Sequence, residues 1–167
     1  MIGDVDGNLD RIRSAIAAAA RRGAQLIVLP ELATSGYVFA DRDEALGAAL
    51  TTGDPRWSSV QEAIPEGAVI VVGYAESDGD RLFNTAAVLT RDLRLADYRK
   101  AHLWGAEKLV FDSGSEAGLV VDAPFGRLGV ALCYDNEFPE VPRRLALAGA
   151  DVLALPVNWP LVPRPTG

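Results

Sequence analysis

Three reactive side chains of different chemistry each stand at the end of a short apolar run. They are Glu31, Lys100 and Cys133, and the runs are residues 26–30, 93–99 and 129–132. Ligands of open α/β sheets bind outside the carboxyl ends of the strands, so neighbouring strands would bring these side chains into one pocket. A carboxylate base, a thiol nucleophile and an ammonium that faces the carbonyl oxygen are sufficient for acyl transfer.

Taken singly, each of these residues has an ordinary interpretation. A lone cysteine in an apolar run is more often an inert buried thiol. A glutamate at a strand end is usually a solvated loop residue, and a single lysine is usually exposed. The combination favours catalysis, and the ammonium of Lys100 is then expected to lower the pKa of the Cys133 thiol below its ordinary value of ~8.5.

The chain that positions these residues alternates helical patterns with apolar runs, which favours an α/β layered sheet. Asn8 is predicted to cap a first helix that stops at Gly23. The apolar run of residues 26–29 is typical of a strand that is buried on both faces. Further strands are predicted at residues 68–74, 83–89 and 93–99 as an adjacent antiparallel set, at 119–122 and 127–132 as a hairpin, and at 152–157, with helices near 57–64 and 139–149.

Three motifs occur in a fixed order, and together they resemble the nitrilase superfamily of carbon–nitrogen hydrolases. The resemblance runs from about Gly3 to Trp159. The motifs are Leu29-Pro30-Glu31-Leu32 with Ser35-Gly36-Tyr37, then Tyr98-Arg99-Lys100-Ala101-His102-Leu103, then Cys133-Tyr134-Asp135-Asn136-Glu137-Phe138-Pro139-Glu140. One such motif would be weak, whereas three in order are specific.

The resemblance implies roles for individual residues. Glu31, Lys100 and Cys133 fall on the family's catalytic base, cation and nucleophile, and Glu107 falls on its additional active-site glutamate. The backbone N–H of Tyr134 is expected to share the oxyanion with Lys100. The implied reaction passes through a cysteine thioester and requires no metal and no organic cofactor.

Other residues are open to two interpretations. Tyr37, Trp104, Asn158 and Trp159 are candidates for the substrate pocket, although aromatic residues near sheet ends more often serve packing. His102 is interpreted as structural, because a single histidine can form neither a metal site nor a Ser-His-Asp triad.

The residues after the cysteine indicate the type of substrate. Tyr134-Asp135 resembles the amidase and carbamoyl-amide branch, whereas true nitrilases usually have Trp or Gly followed by Glu-Asn. A small linear amide is therefore the expected substrate, with N-carbamoyl amides or nitriles as alternatives. Glu137 stands where several relatives that bind acidic amides place an arginine, which favours neutral or amine-bearing acyl groups.

The same resemblance implies a four-layer αββα sandwich built from a longer chain. Residues 1–167 are expected to form a single domain that contains only the larger N-terminal part of it, short at both ends. A homodimer is expected through the helix after the nucleophile, which carries Leu145 and Leu147. The alternative is an inactive remnant that persists by associating with another subunit. A flavodoxin-like binding domain is disfavoured, because the phosphate-binding glycine patterns do not occur.

Composition excludes several other classes of protein. The 167 residues are 49% hydrophobic and 23% charged, with a net charge of −7, which argues against binding to nucleic acid or to an anionic membrane. No apolar run approaches the ~20 residues that span a bilayer, and the first residues are acidic, unlike a secretory signal. A single cysteine excludes an internal disulfide and a multi-cysteine zinc site. The cytoplasm is the expected compartment.

Overall fold

A computed structural model describes residues 1–159 of the chain. It contains four α-helices, seven strands and two short 3₁₀ segments among these residues. In chain order they are α1 (Val5–Ala20), β1 (Leu26–Val28), α2 (Arg42–Gly47), α3 (Arg56–Glu62), β2 (Val69–Asp78), β3 (Arg81–Leu89), β4 (Arg94–Arg99), a 3₁₀ turn (Gly105–Leu109), β5 (Leu119–Ala123), β6 (Gly126–Val130), a second 3₁₀ turn (Cys133–Glu137), α4 (Glu140–Leu147) and β7 (Val152–Ala154).

The strands form two separate sheets. The first has the order β1-β2-β3-β4, in which β1 is parallel to β2 and the other neighbours are antiparallel. The second has the order β5-β6-β7, with an antiparallel hairpin and a parallel pair. The predicted antiparallel set and the predicted hairpin are therefore confirmed.

Alternation along the strands of the first sheet divides the core between its two faces. On the outer face, Ile70 and Val72 of β2 pack with Leu9 and Ile16 of α1 and with the residues of α3. On the inner face, Val71 and its neighbours pack against the second sheet. Helix α4 covers the far side of that sheet, where Gly129 of β6 leaves room for Leu153 and Ala150. The layers follow the order α, β, β, α, as predicted.

The first helix begins earlier than the sequence pattern indicates. Asp4 is its N-cap and accepts a hydrogen bond from the Gly7 N–H, whereas Asn8 lies inside the helix and is buried. The Asn8 amide donates instead to the carbonyl of Thr34 at 3.0 Å. The prediction of Asn8 as the cap was wrong, because this side chain connects α1 to the loop that follows Glu31.

Two strand lengths also differ from the sequence pattern. β2 continues to Asp78, because it pairs with β3 from Ile70 to its last residue. β7 ends at Ala154, short of the predicted residue 157. Pro156 lies within the missing part, and a proline has no N–H to donate to a sheet.

None of the helices in residues 1–159 is both long enough and apolar enough to cross a bilayer. The His, Cys, Asp and Glu side chains of these residues form no group of three or more that could hold a metal ion.

Candidate active site

Glu31, Lys100 and Cys133 meet between the two sheets, although their strands are not neighbours. β1 and β4 are the opposite edges of the first sheet, and Cys133 follows a strand of the second sheet. Since β1 and β4 run in the same direction, their carboxyl ends lie at one end of the sheet. The expected convergence therefore occurs, but the assumption of adjacent strands was wrong.

Gly73 of β2 allows Glu31 to reach this position. A Cβ atom at Gly73 would lie 2.6 Å from the Glu31 Cα and 2.5 Å from the Leu32 nitrogen. Both are backbone atoms, which cannot move aside as the end of a flexible side chain can. The segment after β1 therefore crosses β2 at close range only because residue 73 is glycine.

Lys100 forms the centre of a fully buried ionic cluster. Its Nζ lies 2.6 Å from Glu31 Oε1 and 2.9 Å from each carboxylate oxygen of Glu107. None of the Lys100 side chain is exposed, and Glu31 and Glu107 are buried as well. One ammonium thus lies between two carboxylates, out of contact with solvent.

Glu107 is also held by two hydrogen bonds, one of which comes from its own 3₁₀ turn. It accepts hydrogen bonds from the Trp104 N–H at 2.8 Å and from the Tyr37 hydroxyl at 2.7 Å. Burial and the neighbouring Glu107 carboxylate raise the pKa of Tyr37, so that its hydroxyl remains a donor. Tyr37, Trp104 and Glu107 also line a cavity of about 130 Å³, together with Phe39 and Phe111.

Cys133 opens the 3₁₀ turn after β6 with a left-handed backbone, at φ 43°. Its N–H donates to the carbonyl of Pro156 at 3.1 Å, which anchors the turn to the segment after β7. The thiol interacts with the Glu31 carboxylate and with the backbone N–H of Asn158. The Asn158 N–H also lies 3.2 Å from Glu31 Oε2. The positive φ is costly for a residue with a side chain, and such strain is concentrated at functional sites.

The pKa of the Cys133 thiol moves opposite to the expectation from its lysine neighbour. Burial, followed by the charge of Glu31, raises this pKa to about 11, and Lys100 only partly offsets them. Cys133 is therefore a neutral thiol at neutral pH, and a base must take its proton when it reacts.

The two charged partners have pKa values that suit proton transfer. Burial raises the pKa of Glu31, although the nearby Lys100 ammonium opposes this. Burial would lower the pKa of Lys100, but the Glu31 and Glu107 carboxylates outweigh it and raise this pKa. Lys100 thus stays charged, while Glu31 is a stronger base than an ordinary carboxylate.

The remaining predicted site residues differ in how they face this cluster. Asn158 contributes its backbone N–H. The Tyr134 side chain lies edge-on to Phe138 and lines a different groove, of about 490 Å³, so its link to the cluster is its position next to Cys133 in the chain. Trp159 is 45% exposed.

Two buried polar residues at this site were not singled out by the sequence patterns. Asn84 of β3 donates to Glu31, and Asp135 accepts hydrogen bonds from the hydroxyl of Tyr98 and from both the backbone and the ring of His102. The sequence does contain a signal for Asn84, because this polar residue lies on the same face of an apolar strand as Leu82 and Ala86. The Asp135 contacts support the structural interpretation of His102.

Comparisons with known proteins agree with this fold and this motif order. Residues 2–164 match the carbon-nitrogen hydrolase family. The chain is 41% identical to a nitrilase of Pyrococcus abyssi, covering 95% of this chain and 62% of that protein. It is 33% identical to an N-carbamoylputrescine amidase of Solanum tuberosum, covering 92% and 54%.

A solved structure shows the same relationship. A mutant of the amidase from Nesterenkonia sp. AN1, with the acetamide moiety of fluoroacetamide covalently added at its active-site cysteine, superposes with a TM-score of 0.77 at 29% identity, covering 93% of this chain and 60% of that one. The chain therefore belongs to the carbon-nitrogen hydrolase family. It spans between about half and two thirds of the length of these relatives.

Proposed function

We propose that this chain carries the active site of an amide hydrolase that works through a thioester on Cys133. The observation that carries the proposal is the buried Lys100 ammonium, held between Glu31 and Glu107 with the Cys133 thiol against Glu31. A buried cation beside a neutral nucleophile and a strengthened base is the arrangement that acyl transfer needs.

In the first half-reaction, the Cys133 sulfur attacks the amide carbonyl carbon while Glu31 takes the thiol proton. The carbonyl electron pair moves onto the oxygen, which the Lys100 ammonium and the Tyr134 N–H stabilise. A donor of this kind typically contributes ~3 kcal/mol to lowering the barrier. The C–N bond then breaks, and Glu31 returns its proton to the departing nitrogen, which leaves as ammonia.

In the second half-reaction, water is the nucleophile. Glu31 takes a proton from water as the water oxygen attacks the thioester carbon, and the C–S bond breaks to release the acid. The proton on Glu31 then restores the thiol. A base that alternates between its two forms works best with a pKa near the working pH, which suits the raised pKa of Glu31.

The other residues position the substrate in this proposal. Glu107 orients Lys100, and Tyr37, Trp104 and Trp159 bound the acyl group. The expected substrate is a small linear amide with a neutral or amine-bearing acyl group, because Glu137 would repel a substrate carboxylate. Hydrolysis of an N-carbamoyl amide, supported by similarity to the N-carbamoylputrescine amidase, and hydrolysis of a nitrile are the alternatives within this chemistry.

The test combines ammonia release with capture of the acyl intermediate. The purified chain is given neutral amides, amine-bearing amides, a 2-oxo acid ω-amide and N-carbamoyl amines, with Cys133→Ala as the control. Fluoroacetamide is added to Glu31→Gln, and the adduct is located by mass spectrometry. We expect ammonia only with Cys133 present and an adduct on that residue. The proposal is overturned if Cys133→Ala keeps the activity or if no reagent modifies Cys133 in the folded chain; the latter result would favour the inactive remnant.

We also propose that the chain associates with a second copy through the α4 side of the molecule. Leu145 is part of the core and is unavailable, whereas Leu147 is 76% exposed and Leu153 of β7 is 37% exposed. Sedimentation velocity on the wild type and on Leu147→Glu tests this. We expect a dimer that the charged variant dissociates, and a monomeric wild type would contradict it.

A further inference from the structure

We propose that Asn84 is a positioning residue that holds one oxygen of Glu31 and leaves the other free to exchange protons with Cys133. This inference rests on the proposed function and adds to it a residue from the centre of the first sheet.

Asn84 contacts the whole ionic cluster from β3. Its backbone carbonyl accepts the Lys100 N–H at 2.8 Å, which sets where the lysine leaves the sheet. Its side-chain Nδ2 donates to Glu31 Oε1 at 2.8 Å and lies 3.5 Å from Glu107 Oε1. One residue thus contacts the base and the second glutamate with its side chain and the backbone of Lys100 with its carbonyl.

The orientation of the Asn84 amide follows from its neighbours. Both carboxylate oxygens near it are acceptors, so the NH₂ group must face them. The Asn84 Oδ1 is buried and has no hydrogen-bond partner among residues 1–159. Packing does not require this amide, because Ala86 and Val88 fill the same face of β3 with apolar groups. The polar contact that the side chain makes is the one with the catalytic cluster.

The contacts distinguish the two oxygens of Glu31. Oε1 receives both the Lys100 ammonium at 2.6 Å and the Asn84 amide at 2.8 Å. Oε2 receives neither of these two donors and accepts the Asn158 N–H at 3.2 Å. A proton from the Cys133 thiol or from water is therefore directed to Oε2. Asn84 maintains this difference by occupying Oε1.

The surroundings of Glu31 shift its pKa in both directions. Burial and the charge of Glu107 raise this pKa, whereas Lys100 and the Asn84 hydrogen bond lower it. Cys133 and Tyr37 also face Glu31. Loss of the Asn84 donor alone must therefore raise the Glu31 pKa, because the carboxylate form loses a hydrogen bond while the other groups stay.

The test replaces Asn84 by the similarly shaped leucine and follows Glu31 directly. Carbon-13 NMR of labelled glutamate carboxyls gives the Glu31 titration, with the signal assigned by Glu31→Gln. We expect Glu31 to titrate about one pH unit higher in Asn84→Leu than in the wild type, which corresponds to the loss of one charge-assisted hydrogen bond. The acid limb of kcat for amide hydrolysis should move in the same direction, so that kcat on this limb falls by up to roughly tenfold while KM changes little.

Thr85→Val is the matched control. Thr85 is the next residue of β3, is equally buried, and donates to Glu76 on the opposite face of the sheet. The Thr85→Val variant loses a buried hydrogen bond from the same strand, and residue 85 does not contact the cluster. The stability of Thr85→Val serves as the reference for that of Asn84→Leu, while the titration of Glu31 in Thr85→Val should equal that of the wild type.

The outcomes separate this inference from the proposed function. An unchanged Glu31 titration in Asn84→Leu overturns the role of Asn84. A raised Glu31 pKa in a chain that hydrolyses no amide supports the role of Asn84 and contradicts the proposed function. If Asn84→Leu does not fold, Asn84→Asp replaces it. This isosteric variant exchanges the donor for a third carboxylate, and it should raise the Glu31 pKa further.

Discussion

The carboxylate of Asp135 accepts two hydrogen bonds from His102, one from its backbone N–H at 2.9 Å and one from its ring Nδ1 at 2.8 Å. Asp135 is fully buried, and it also accepts from the Tyr98 hydroxyl at 2.7 Å and the Leu132 N–H at 3.1 Å. His102 lies two residues after Lys100, and Asp135 lies two residues after Cys133. These contacts therefore connect the segment that carries the cation to the turn that carries the nucleophile.

Asp135→Asn should weaken this connection. An asparagine can place only one acceptor oxygen where the carboxylate has two, so buried donors lose their partner at a cost of about 1–3 kcal/mol each. Each oxygen accepts from two donors, so we expect urea unfolding to show a loss of about 2–6 kcal/mol, and kcat to fall more than KM rises. Tyr98→Phe, which removes one donor and leaves the carboxylate, should cost only about 1 kcal/mol. Equal losses in the two variants would contradict the central position of Asp135.

Lys100→Met should destabilise the fold in a pH-dependent way. It leaves the Glu31 and Glu107 carboxylates buried without their cation, and breaking a buried pair typically costs about 3–5 kcal/mol. The loss should be largest at pH 7 and smaller at pH 5, because the Glu31 pKa rises further without Lys100 and the carboxyl becomes neutral.

In the wild type, the stabilisation that Lys100 provides should also depend on pH. The pKa of Lys100 is raised on folding, so its stabilisation is fully present below the ordinary lysine pKa of 10.5 and is lost as the pH rises through the folded value. Over pH 5 to 9 the Lys100 contribution is therefore constant, and thermal unfolding of the wild type and Lys100→Met in this range measures the change that comes from the buried carboxylates. A difference that does not vary with pH would contradict the assignment.

The Cys133 thiol should react slowly in the folded chain with reagents that the site does not bind. With a pKa of about 11, the native chain should hold roughly a hundredfold less thiolate at pH 8.5 than the unfolded chain. The rate of exchange with a small neutral disulfide, in buffer and in urea, measures this difference. Cys133 is the chain's single cysteine, so Cys133→Ser provides the blank.

Two variants change the pKa of Cys133 in opposite directions. The Glu31 charge raises it, so Glu31→Gln should lower it and speed the exchange. Lys100 lowers it, so Lys100→Met should slow the exchange further. A native thiol that reacts as fast as the unfolded one, in every variant, would show that the cluster is not assembled.

Gly73→Ala should displace Glu31. The added methyl group would lie 2.5 to 2.6 Å from backbone atoms of residues 30–32, and such overpacking usually costs 1–3 kcal/mol, or somewhat more where backbone must move. We expect lower stability together with a large loss of amide hydrolysis. Gly47→Ala is the matched control, because a Cβ there meets nothing within 4 Å. Similar activity in the two variants would contradict the positioning of Glu31 by Gly73.

Local sequence patterns were sufficient to predict most strands and to identify the reactive groups. Apolar runs and turn residues were sufficient for the antiparallel set β2 to β4 and the hairpin of β5 and β6, because these strands pair with their neighbours in the chain. Glu31, Lys100 and Cys133 were recognisable at the ends of such runs. The motif order indicated the αββα layers that the structure contains.

The effect of these groups on one another depends on contacts between distant parts of the chain. Lys100 and Glu31 are 69 residues apart in the chain, and Asn158 and Glu31 are 127 residues apart. The contacts of Asn8, Asn84 and Asp135 are likewise made to other segments. The pKa of Cys133 was expected to fall and instead rises, because burial and Glu31 outweigh Lys100. Desolvation and charge interactions depend on which distant atoms surround a group, and local sequence patterns carry no information about those atoms.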